Sequence, residues 1–241
     1  VCIDVLDANG NIIDNCCRNI RIRNCTPATL GNFVWNDINY NGIQDSNEPG
    51  IANVKVDLYN QNNVLVQTKT TDGQGKYTFT NIIEGSYYVT VNLPSNYLIS
   101  KLSSTTEDKD NDFLSQASNK SALQFITYGT NLVDLDFGLV KKLTIGNFAW
   151  EDLNYNGIQD VNDKGIGGTK IYLLNELGIV IDSATANAIG SYMFQNIPAD
   201  KYVLRFVTPL GYTATKLNVG ISSTDSDVKN NGETTLINFQ N

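Results

Sequence analysis

Apolar and polar residues alternate with a period of two along most of the chain, in segments rich in β-branched and aromatic residues. Glycine, asparagine and aspartate separate these segments, and no window carries the spacing of an amphipathic helix. The pattern predicts strands at 54–60, 65–71, 76–82, 86–93 and 131–139. About seven such strands in roughly 100 residues favour an all-β fold, an antiparallel immunoglobulin-like sandwich.

A long internal repeat divides the chain into two copies. The segment GNFVWNDINYNGIQD at 31–45 recurs as GNFAWEDLNYNGIQD at 146–160, with twelve of fifteen positions identical and an offset of 146 − 31 = 115 residues. A period of this length corresponds to whole domains rather than to solenoid repeats of about 20–50 residues. We expect domains at 30–142 and 143–241, joined by a short Val-Lys-Lys connection with limited freedom.

The end of the second copy aligns best with the last strand of the first. TTLINFQN at 234–241 matches TNLVDLDF at 130–137, which implies a deletion of about eleven residues and an incomplete final strand. The chain begins at Val1 without a methionine, so we interpret it as a piece of a longer, exported polypeptide.

Composition and charge exclude several classes of function. The chain has 25 acidic and 17 basic side chains, a net charge of −8, so it repels phosphate backbones and we expect no nucleic-acid partner. It has no histidine, which removes Ser-His-Asp and Cys-His sites and the commonest ligand of catalytic zinc. No apolar run approaches the ~20 residues of a membrane span. We therefore predict no enzymatic activity and no membrane span in this segment.

All four cysteines lie in the first 25 residues, which predicts a separate segment at 1–29 stapled by disulfides in an oxidising compartment. Ala8-Asn9-Gly10 indicates a hairpin turn, and such a hairpin brings the first cysteine opposite one of the two adjacent ones, leaving the other for the fourth. A four-thiolate metal site is the alternative, although the spacing lacks the paired knuckles of zinc sites. The candidates are Cys2, Cys16, Cys17 and Cys25.

An acidic loop with EF-hand spacing follows the tryptophan of each repeat. Oxygen ligands alternate around one cation, a glycine allows the sharp turn, and a late carboxylate closes the shell. We expect at least one calcium ion in each loop; a metal-free turn of hydrogen-bonded Asn and Asp residues is the alternative. The ligands are Asp37, Asn39, Asn41, the Ile43 carbonyl, Asp45 and Glu48 in the first loop, and Asp152, Asn154, Asn156, the Ile158 carbonyl, Asp160 and Asp163 in the second.

A second acidic run lies further along each copy. Alternate residues of an extended segment share a face, so Asp108, Asp110 and Asp112 are placed to converge on another cation. Asp225 and Asp227 occupy the matching place in the second copy. A solvated run of charges is the alternative. We therefore expect one or more Ca²⁺ ions in each domain.

The motifs together resemble a known family. The order W-x-D-x-N-x-N-G-x-Q-D, G-x-Y-x-F and P-x-x-Y occurs in both copies, over about 30–241, and is similar to the B-repeat domains of serine–aspartate repeat surface adhesins. These are calcium-binding relatives of the collagen-adhesin B-type domain. The resemblance implies immunoglobulin-like sandwiches that carry calcium and form a stalk on an extracellular cell surface. It also implies that the isopeptide bond of some collagen-adhesin relatives is absent, because Val91 and Phe206 stand where its catalytic glutamate would be.

We interpret the chain as a calcium-stabilised structural spacer of a secreted or cell-surface adhesin-like protein, with neighbouring domains or identical subunits as partners. A subunit of an extracellular filament assembled by strand complementation is one alternative, motivated by the incomplete last strand and the isolated N-terminal hairpin. A glycan- or protein-binding module that uses Trp35 and Trp150 is another, although a buried tryptophan is the simpler interpretation. The sequence identifies no adhesive ligand.

Overall fold

The computed structural model describes residues 5–14, 26–102, 109–217, 219 and 224–240. All regular secondary structure in these ranges is β-strand, which confirms the all-β prediction. The strands of the N-terminal segment and the first copy are β1 (Val5–Leu6), β2 (Ile12–Asp14), β3 (Ala28–Asn36), β4 (Lys55–Asn60), β5 (Leu65–Thr70), β6 (Lys76–Ile82), β7 (Gly85–Val91), β8 (Tyr97–Ile99), β9 (Phe113–Ser115), β10 (Ser118–Ser121), β11 (Gln124–Ile126) and β12 (Asn131–Phe148). Those that follow are β13 (Trp150–Glu151), β14 (Lys164–Gly165), β15 (Lys170–Asn175), β16 (Val180–Thr185), β17 (Ser191–Pro198), β18 (Lys201–Val207) and β19 (Ile237–Asn238).

The first module consists of two sheets around one core. One sheet has the order β5-β4-β7-β10-β9, with β11 also on β7, and the other contains β6, β3, β12 and β8. Inward-facing residues of both sheets, such as Leu58, Phe79, Val89 and Phe137, are completely buried. All pairs are antiparallel except β3 with β12, which is parallel. The expectation of a purely antiparallel sandwich is therefore wrong for this pair.

Strand β12 belongs to both modules. Its first half pairs with β3 and β8, and its second half pairs with β17. The Val140-Lys141-Lys142 segment, expected to be a connection with limited freedom, is part of this continuous strand. The N–H of Lys142 donates to the Asn96 carbonyl, and the Lys141 carbonyl accepts the N–H of Ala199, both at 2.9 Å. The junction is thus held by backbone hydrogen bonds from both modules.

The second module repeats the arrangement of the first. Ile145 pairs with Phe194 as Leu30 pairs with Phe79, 115 residues earlier. Strands β16, β15, β18 and β19 form the opposite sheet. Among the described residues, its core has nine buried side chains where the first module has eighteen. The part of the second core that the structure describes is therefore the smaller one.

The end of the second copy differs from the sequence-based alignment. Strand β19 pairs with β18 in the register that β11 has on β7. The hydroxyls of Thr234 and Ser121 accept amides at equivalent positions of β18 and β7. Residues 234–240 are therefore the counterparts of 121–127, not of 130–137, and the deletion is about two residues, since the offset falls from 115 to 234 − 121 = 113. The expected deletion of about eleven residues is wrong, because both segments alternate apolar and polar residues and the pattern does not distinguish them.

Strands β1 and β2 form a hairpin at the expected place. The N–H of Asp7 donates to the Asn11 carbonyl at 2.8 Å, and the Asp7 carboxylate accepts the amides of Asn9 and Asn11. These bonds close a three-residue turn. The four cysteines lie outside the described residues, so their disulfides stay a prediction.

The contact between Gly138 and Trp35 tests the packing of β12 in the first module. A Cβ atom on Gly138 would lie 2.7 Å from the Trp35 ring, which is completely buried. We expect Gly138→Ala to destabilise this module by about 1–3 kcal/mol, because overpacking displaces the ring. Urea denaturation should show a lower midpoint. Gly73→Ala is the control, since a Cβ there meets nothing within 4 Å. Equal shifts for both variants would contradict the packing argument.

Candidate metal centres

The first acidic loop begins where β3 ends. Asp37, its first predicted ligand, is completely buried, and its N–H donates to the Leu139 carbonyl of β12 at 2.8 Å. The Asp37 carboxylate accepts the main-chain amides of Asn41 and Gly42, at 3.1 and 2.7 Å, and the hydroxyl of Ser100. The loop is therefore folded back on its first residue.

The middle of this loop converges on Asp45. The side-chain amides of Asn39 and Asn41 donate to its Oδ2 at 2.7 and 3.0 Å. The Oδ1 atoms of the same two asparagines accept the main-chain N–H groups of Asn41 and Ile43. Gly42 has a φ of 79°, the left-handed region that glycine adopts without strain. The structure thus brings the alternate oxygen-bearing residues together.

Glu48, the last predicted ligand, closes the loop through hydrogen bonds from main-chain amides. Its Oε1 accepts the N–H of Ile38 at 2.7 Å, and its Oε2 accepts the N–H of Asp45 at 3.1 Å. The residue is only 8% exposed. Burial raises the pKa of its carboxyl, and the nearby charge of Asp37 acts in the same direction. An anion in such a place is stabilised by a cation.

The second loop has the same hydrogen-bond pattern as the first. The Asp152 carboxylate accepts the Asn156 main-chain amide at 3.2 Å and the hydroxyl of Thr215. The side-chain amides of Asn154 and Asn156 both donate to Asp160 at 2.8 Å. Two segments 115 residues apart therefore adopt the same local structure.

Asp163 takes the place of Glu48 in the second loop. Its Oδ1 accepts the N–H of Leu153 at 3.2 Å, and its Oδ2 accepts the N–H of Asp160 at 2.8 Å. The shorter side chain reaches the groups equivalent to those that Glu48 reaches. The loop therefore closes despite the substitution.

The second acidic run lies beside the loop in each module. Ile43 forms an isolated antiparallel bridge with Asp110, and Ile158 forms the matching bridge with Asp225. Two predicted segments that are distant in sequence are thus adjacent in space. Asp108, also predicted as a ligand, lies outside the described residues.

Asp136 of β12 is a buried carboxyl that sequence reasoning missed. Its N–H donates to Asp112 Oδ2 at 2.7 Å, and the N–H of Asp112 donates to its carbonyl at 2.9 Å. Asp136 Oδ2 accepts the Asn32 amide at 3.0 Å, whereas Oδ1 is buried and has no hydrogen-bond partner. The sequence does contain a pattern that could have indicated Asp136 as a candidate ligand. Asp134 and Asp136 are two residues apart on β12, with the same spacing as Asp110 and Asp112.

Burial raises the pKa values of this acidic cluster. The pKa of Asp112 rises to about 7, through burial and the charges of Asp110 and Asp134. The pKa of Asp136 rises to about 8, through burial and the charge of Asp112. Carboxyls that share a buried site ionise together at neutral pH only at high cost unless a cation is present.

The second module keeps part of this cluster. Asp227 corresponds to Asp112, and burial together with the charge of Asp225 raises its pKa. Asp225 Oδ1 is buried and has no hydrogen-bond partner. In the described part of the second module, no strand supplies a counterpart of Asp136.

The donor chemistry of both regions suits a hard cation that binds oxygen. Among the described residues, no three acidic, cysteine or histidine side chains converge closely enough to hold a metal by themselves. Calcium takes 6–8 oxygen ligands, so each site would need asparagine and main-chain carbonyl oxygens as well. The unpartnered buried oxygens of Asp136 and Asp225 fit such an ion, because a buried polar atom without a partner is costly.

The two repeated tryptophans differ in exposure. Trp35 is completely buried. The alternative prediction that it contacts a glycan or protein ligand is therefore wrong, and the interpretation of Trp35 as a buried core residue is confirmed. Trp150 is half-buried and lines a cavity of about 520 Å³ in the second module.

Both copies match the model of one protein family. A family model described as the SdrD B-like domain matches residues 28–139 and 143–241. The chain belongs to the SdrD B-like domain family. The resemblance identified from the loop and strand motifs is confirmed.

Three staphylococcal proteins are among the curated relatives of these SdrD B-like modules. The chain is 39% identical over 213 residues to serine-aspartate repeat-containing protein F of Staphylococcus epidermidis, covering 87% of the chain and 12% of that protein. It is 38% identical over 200 residues to protein E of Staphylococcus aureus, covering 82% of the chain and 17% of that protein. Protein D of Staphylococcus aureus is 37% identical over 209 residues, covering 86% and 15%. The chain thus spans between 12 and 17% of the length of these relatives.

Solved structures are more distant from this chain. The Bacillus anthracis TIE protein is 16% identical with a TM-score of 0.39, covering 83% of this chain and 32% of that one. GBS52, the minor pilin of Streptococcus agalactiae, is 13% identical with a TM-score of 0.32, covering 88% and 90%. Membership of the family therefore rests on the sequence matches.

Family membership confirms the extracellular, cell-surface location expected from the sequence. In the part of the chain that the structure describes, no helix has the length and apolar character to cross a membrane.

In calcium-free buffer, the stability of the first module should fall as the pH rises from about 4 to about 8. The pKa values of about 7 for Asp112 and about 8 for Asp136 exceed the ordinary value of 3.8. The folded state therefore binds more protons than the unfolded state over this range and loses that advantage as the carboxyls ionise. Thermal midpoints measured in EDTA across this range test the sign.

Asp136→Asn is the matched variant, because the amide keeps an acceptor for Asn32 and does not ionise. We expect it to flatten the pH dependence. If the thermal midpoint of the parent chain instead rises with pH over this range, the raised pKa values of Asp112 and Asp136 are contradicted.

Proposed function

We propose that this pair of SdrD B-like modules is a non-catalytic structural spacer of a cell-surface adhesin-like protein, stabilised by calcium in each module. The proposal includes two tandem immunoglobulin-like sandwiches preceded by a disulfide-stapled hairpin. The observation that carries it is the duplicated loop, in which two independent copies hold the same oxygen-bearing residues with the same hydrogen bonds. The relatives and the surface location support the spacer role.

The stabilising mechanism is linkage between ion binding and folding. The oxygens of each loop come together only in the folded chain, so a cation that binds them stabilises the fold, by about 2.7 kcal/mol at 100 times its Kd. Extracellular calcium modules bind with a Kd of about 10⁻⁴–10⁻³ M. In the first module, burial and then the charge of Asp112 raise the pKa of Asp136, and calcium would also offset this cost of ionisation.

The stiffness of the spacer follows from the junction between the modules. Besides the continuous strand β12, Lys101 forms an ion pair with Asp200 at 3.5 Å and lies over the Tyr40 ring at 4.3 Å. The Gln240 amide donates to the Asn39 carbonyl at 3.0 Å. Because Asn39 and Tyr40 belong to the first acidic loop, calcium in this loop would also order the junction.

A filament subunit remains the second candidate. One observation favours it: among the described residues, no strand pairs with the second edge of residues 142–148, and proteins normally cover such an edge. The N-terminal segment that was expected to supply the covering strand lies partly outside the described residues.

Calcium should raise the melting temperatures of both modules, and single substitutions should remove the effect one module at a time. Asp45→Asn should abolish the response of the first module, and Asp160→Asn that of the second, because each removes one carboxylate and keeps an oxygen for the neighbouring amides. Thermal scans in millimolar calcium and in EDTA measure the difference.

Asp72→Asn is the control, since Asp72 is exposed and caps a turn distant in sequence from both loops. Identical scans in calcium and EDTA for the parent chain would reject the calcium proposal. The spacer role would then rest on the junction alone.

Breaking the continuity of β12 should make the two modules move independently. We expect a Gly-Ser-Gly-Ser insertion between Val140 and Lys141 to broaden the range of particle dimensions in small-angle X-ray scattering. The same insertion between Asn62 and Asn63, in the exposed turn after β4, is the control and should not. A scattering profile that is unchanged by the junction insertion would show that β12 does not set the stiffness.

A further inference from the structure

The chain contains four Asn-Gly dipeptides, and two of them lie in the acidic loops. At such a dipeptide, the main-chain nitrogen of the glycine can attack the side-chain amide of the asparagine, because glycine has no Cβ to obstruct the approach. The attack closes a five-membered imide and releases ammonia. The groups that surround each dipeptide therefore decide its reactivity. The four are Asn9-Gly10, Asn41-Gly42, Asn156-Gly157 and Asn231-Gly232.

In the first loop, a hydrogen bond holds the Asn41 amide beside the nitrogen of Gly42. The N–H of Ile43 donates to Asn41 Oδ1 at 2.7 Å. This contact closes a side-chain turn that mimics a β-turn, and the turn keeps Cγ next to the following main-chain nitrogen. A donor at this oxygen also stabilises the negative charge that develops on it during the attack. Asn41 is exposed, so water reaches the site and ammonia leaves it.

A carboxylate accepts the N–H of the attacking nitrogen. The N–H of Gly42 donates to Asp37 Oδ2 at 2.7 Å. A carboxylate at this distance takes the proton as the new bond forms, which is general-base catalysis. The Asn41 amide in turn donates to Asp45 Oδ2 at 3.0 Å, which fixes its orientation. The loop thus combines a base, a donor for the developing oxyanion and an oriented amide.

The second loop has the same three contacts. The N–H of Ile158 donates to Asn156 Oδ1 at 2.7 Å. The N–H of Gly157 donates to Asp152 Oδ2 at 2.8 Å, and the Asn156 amide donates to Asp160 Oδ2 at 2.8 Å. The arrangement is therefore present twice, in segments 115 residues apart.

The other two dipeptides lack the carboxylate. The N–H of Glu233 donates to Asn231 Oδ1 at 3.1 Å, so Asn231 has the side-chain turn. The N–H of Gly232, however, donates to the Lys229 carbonyl at 2.8 Å. The N–H of Gly10 likewise donates to a main-chain carbonyl, at 3.0 Å. A carbonyl oxygen accepts a hydrogen bond but is not a base at neutral pH, so Asn231 is an internal reference for the two loops.

We propose that Asn41 and Asn156 are self-modification sites, at which the folded loop catalyses its own deamidation. The Gly42 nitrogen bonds to Cγ of Asn41, and its proton passes to Asp37. The Cγ–Nδ2 bond then breaks, and Nδ2 takes up this proton and leaves as ammonia. Water opens the imide at either carbonyl, which leaves aspartate or isoaspartate. The second loop reacts in the same way.

Each reaction changes the charge and the shape of a loop. One negative charge is added among the acidic side chains that the first loop already holds, which are Asp37, Asp45 and Glu48. Isoaspartate also lengthens the main chain by one carbon, which displaces the hydrogen bonds of the turn. The loops therefore change with the age of the protein. The proposal concerns the loops without a bound ion and does not rest on calcium.

The first test compares the dipeptides within one folded chain. The full chain is incubated at neutral pH in EDTA, which keeps the result independent of calcium binding, and samples are digested for mass spectrometry. Each deamidation adds about 1 Da. We expect Asn41 and Asn156 to react at least about tenfold faster than Asn231, since a positioned general base contributes about 10²–10⁴-fold. Both should also react faster than the same sites in a sample unfolded in urea.

The second test removes one base. Asp152→Asn keeps an acceptor oxygen for the glycine amide of the second loop but takes up no proton. We expect this variant to slow the reaction of Asn156 to about the rate of Asn231. The rate of Asn41 should stay unchanged, because the first loop keeps its own carboxylate.

Glu176→Gln is the matched control, since it removes one charge from an exposed side chain of the same module. It should leave the rates of both loops unchanged. Circular dichroism shows whether each variant is folded. If Asp152→Asn does not fold, the comparison of the loops with Asn231 in the parent chain decides.

Three results would overturn the proposal. The first is a loop rate in the folded chain at or below that of Asn231, which would mean that the loops protect their asparagines. The second is a loop rate that is no higher in the folded chain than in urea. The third is a folded Asp152→Asn variant in which Asn156 reacts as fast as it does in Glu176→Gln.

Discussion

The parallel pairing of β3 with β12 is the interaction on which the rest of the structure depends. It closes the first core by placing Phe137 inside, and it supplies the Leu139 carbonyl that anchors Asp37 at the start of the first acidic loop. The same strand then continues into the second module and pairs with β17. One strand therefore sets a core, a loop and a junction.

Electrostatics imposes the second constraint. The acidic loop and the acidic run are distant in sequence but adjacent in space, and β12 adds Asp136 to them from a third direction. Carboxyls gathered in this way are either protonated or neutralised by a cation. The internal hydrogen bonds of the loop, such as those to Asp45, hold its shape in either state.

The sequence predicted much of this arrangement, and the exceptions have physical causes. Period-two alternation located β4 to β7 and the first half of β12, whereas the short strands β8 to β11 were not predicted. The recurrence of oxygen-bearing residues located both loops, because their spacing is a local property. The pairing partner of a strand is not local, so the burial of Asp136 and the parallel direction of β12 were not predicted. The end of the second copy was misaligned because 121–127 and 130–137 share the same alternation of apolar and polar residues. This alternation does not specify the strand with which a segment pairs.

The direction of β3 and β12 has a mechanical consequence. The first module is entered at the start of β3 and left at the end of its part of β12, and these two strands run parallel, side by side. Tension along the chain therefore pulls them in opposite directions along their length. All hydrogen bonds between 29–36 and 131–139 then bear the load together in shear, instead of opening one after another as in a peeled hairpin. Forced unfolding depends on the rate at which this pair slides apart, so a module built in this way resists stretching along the axis on which a stalk is pulled.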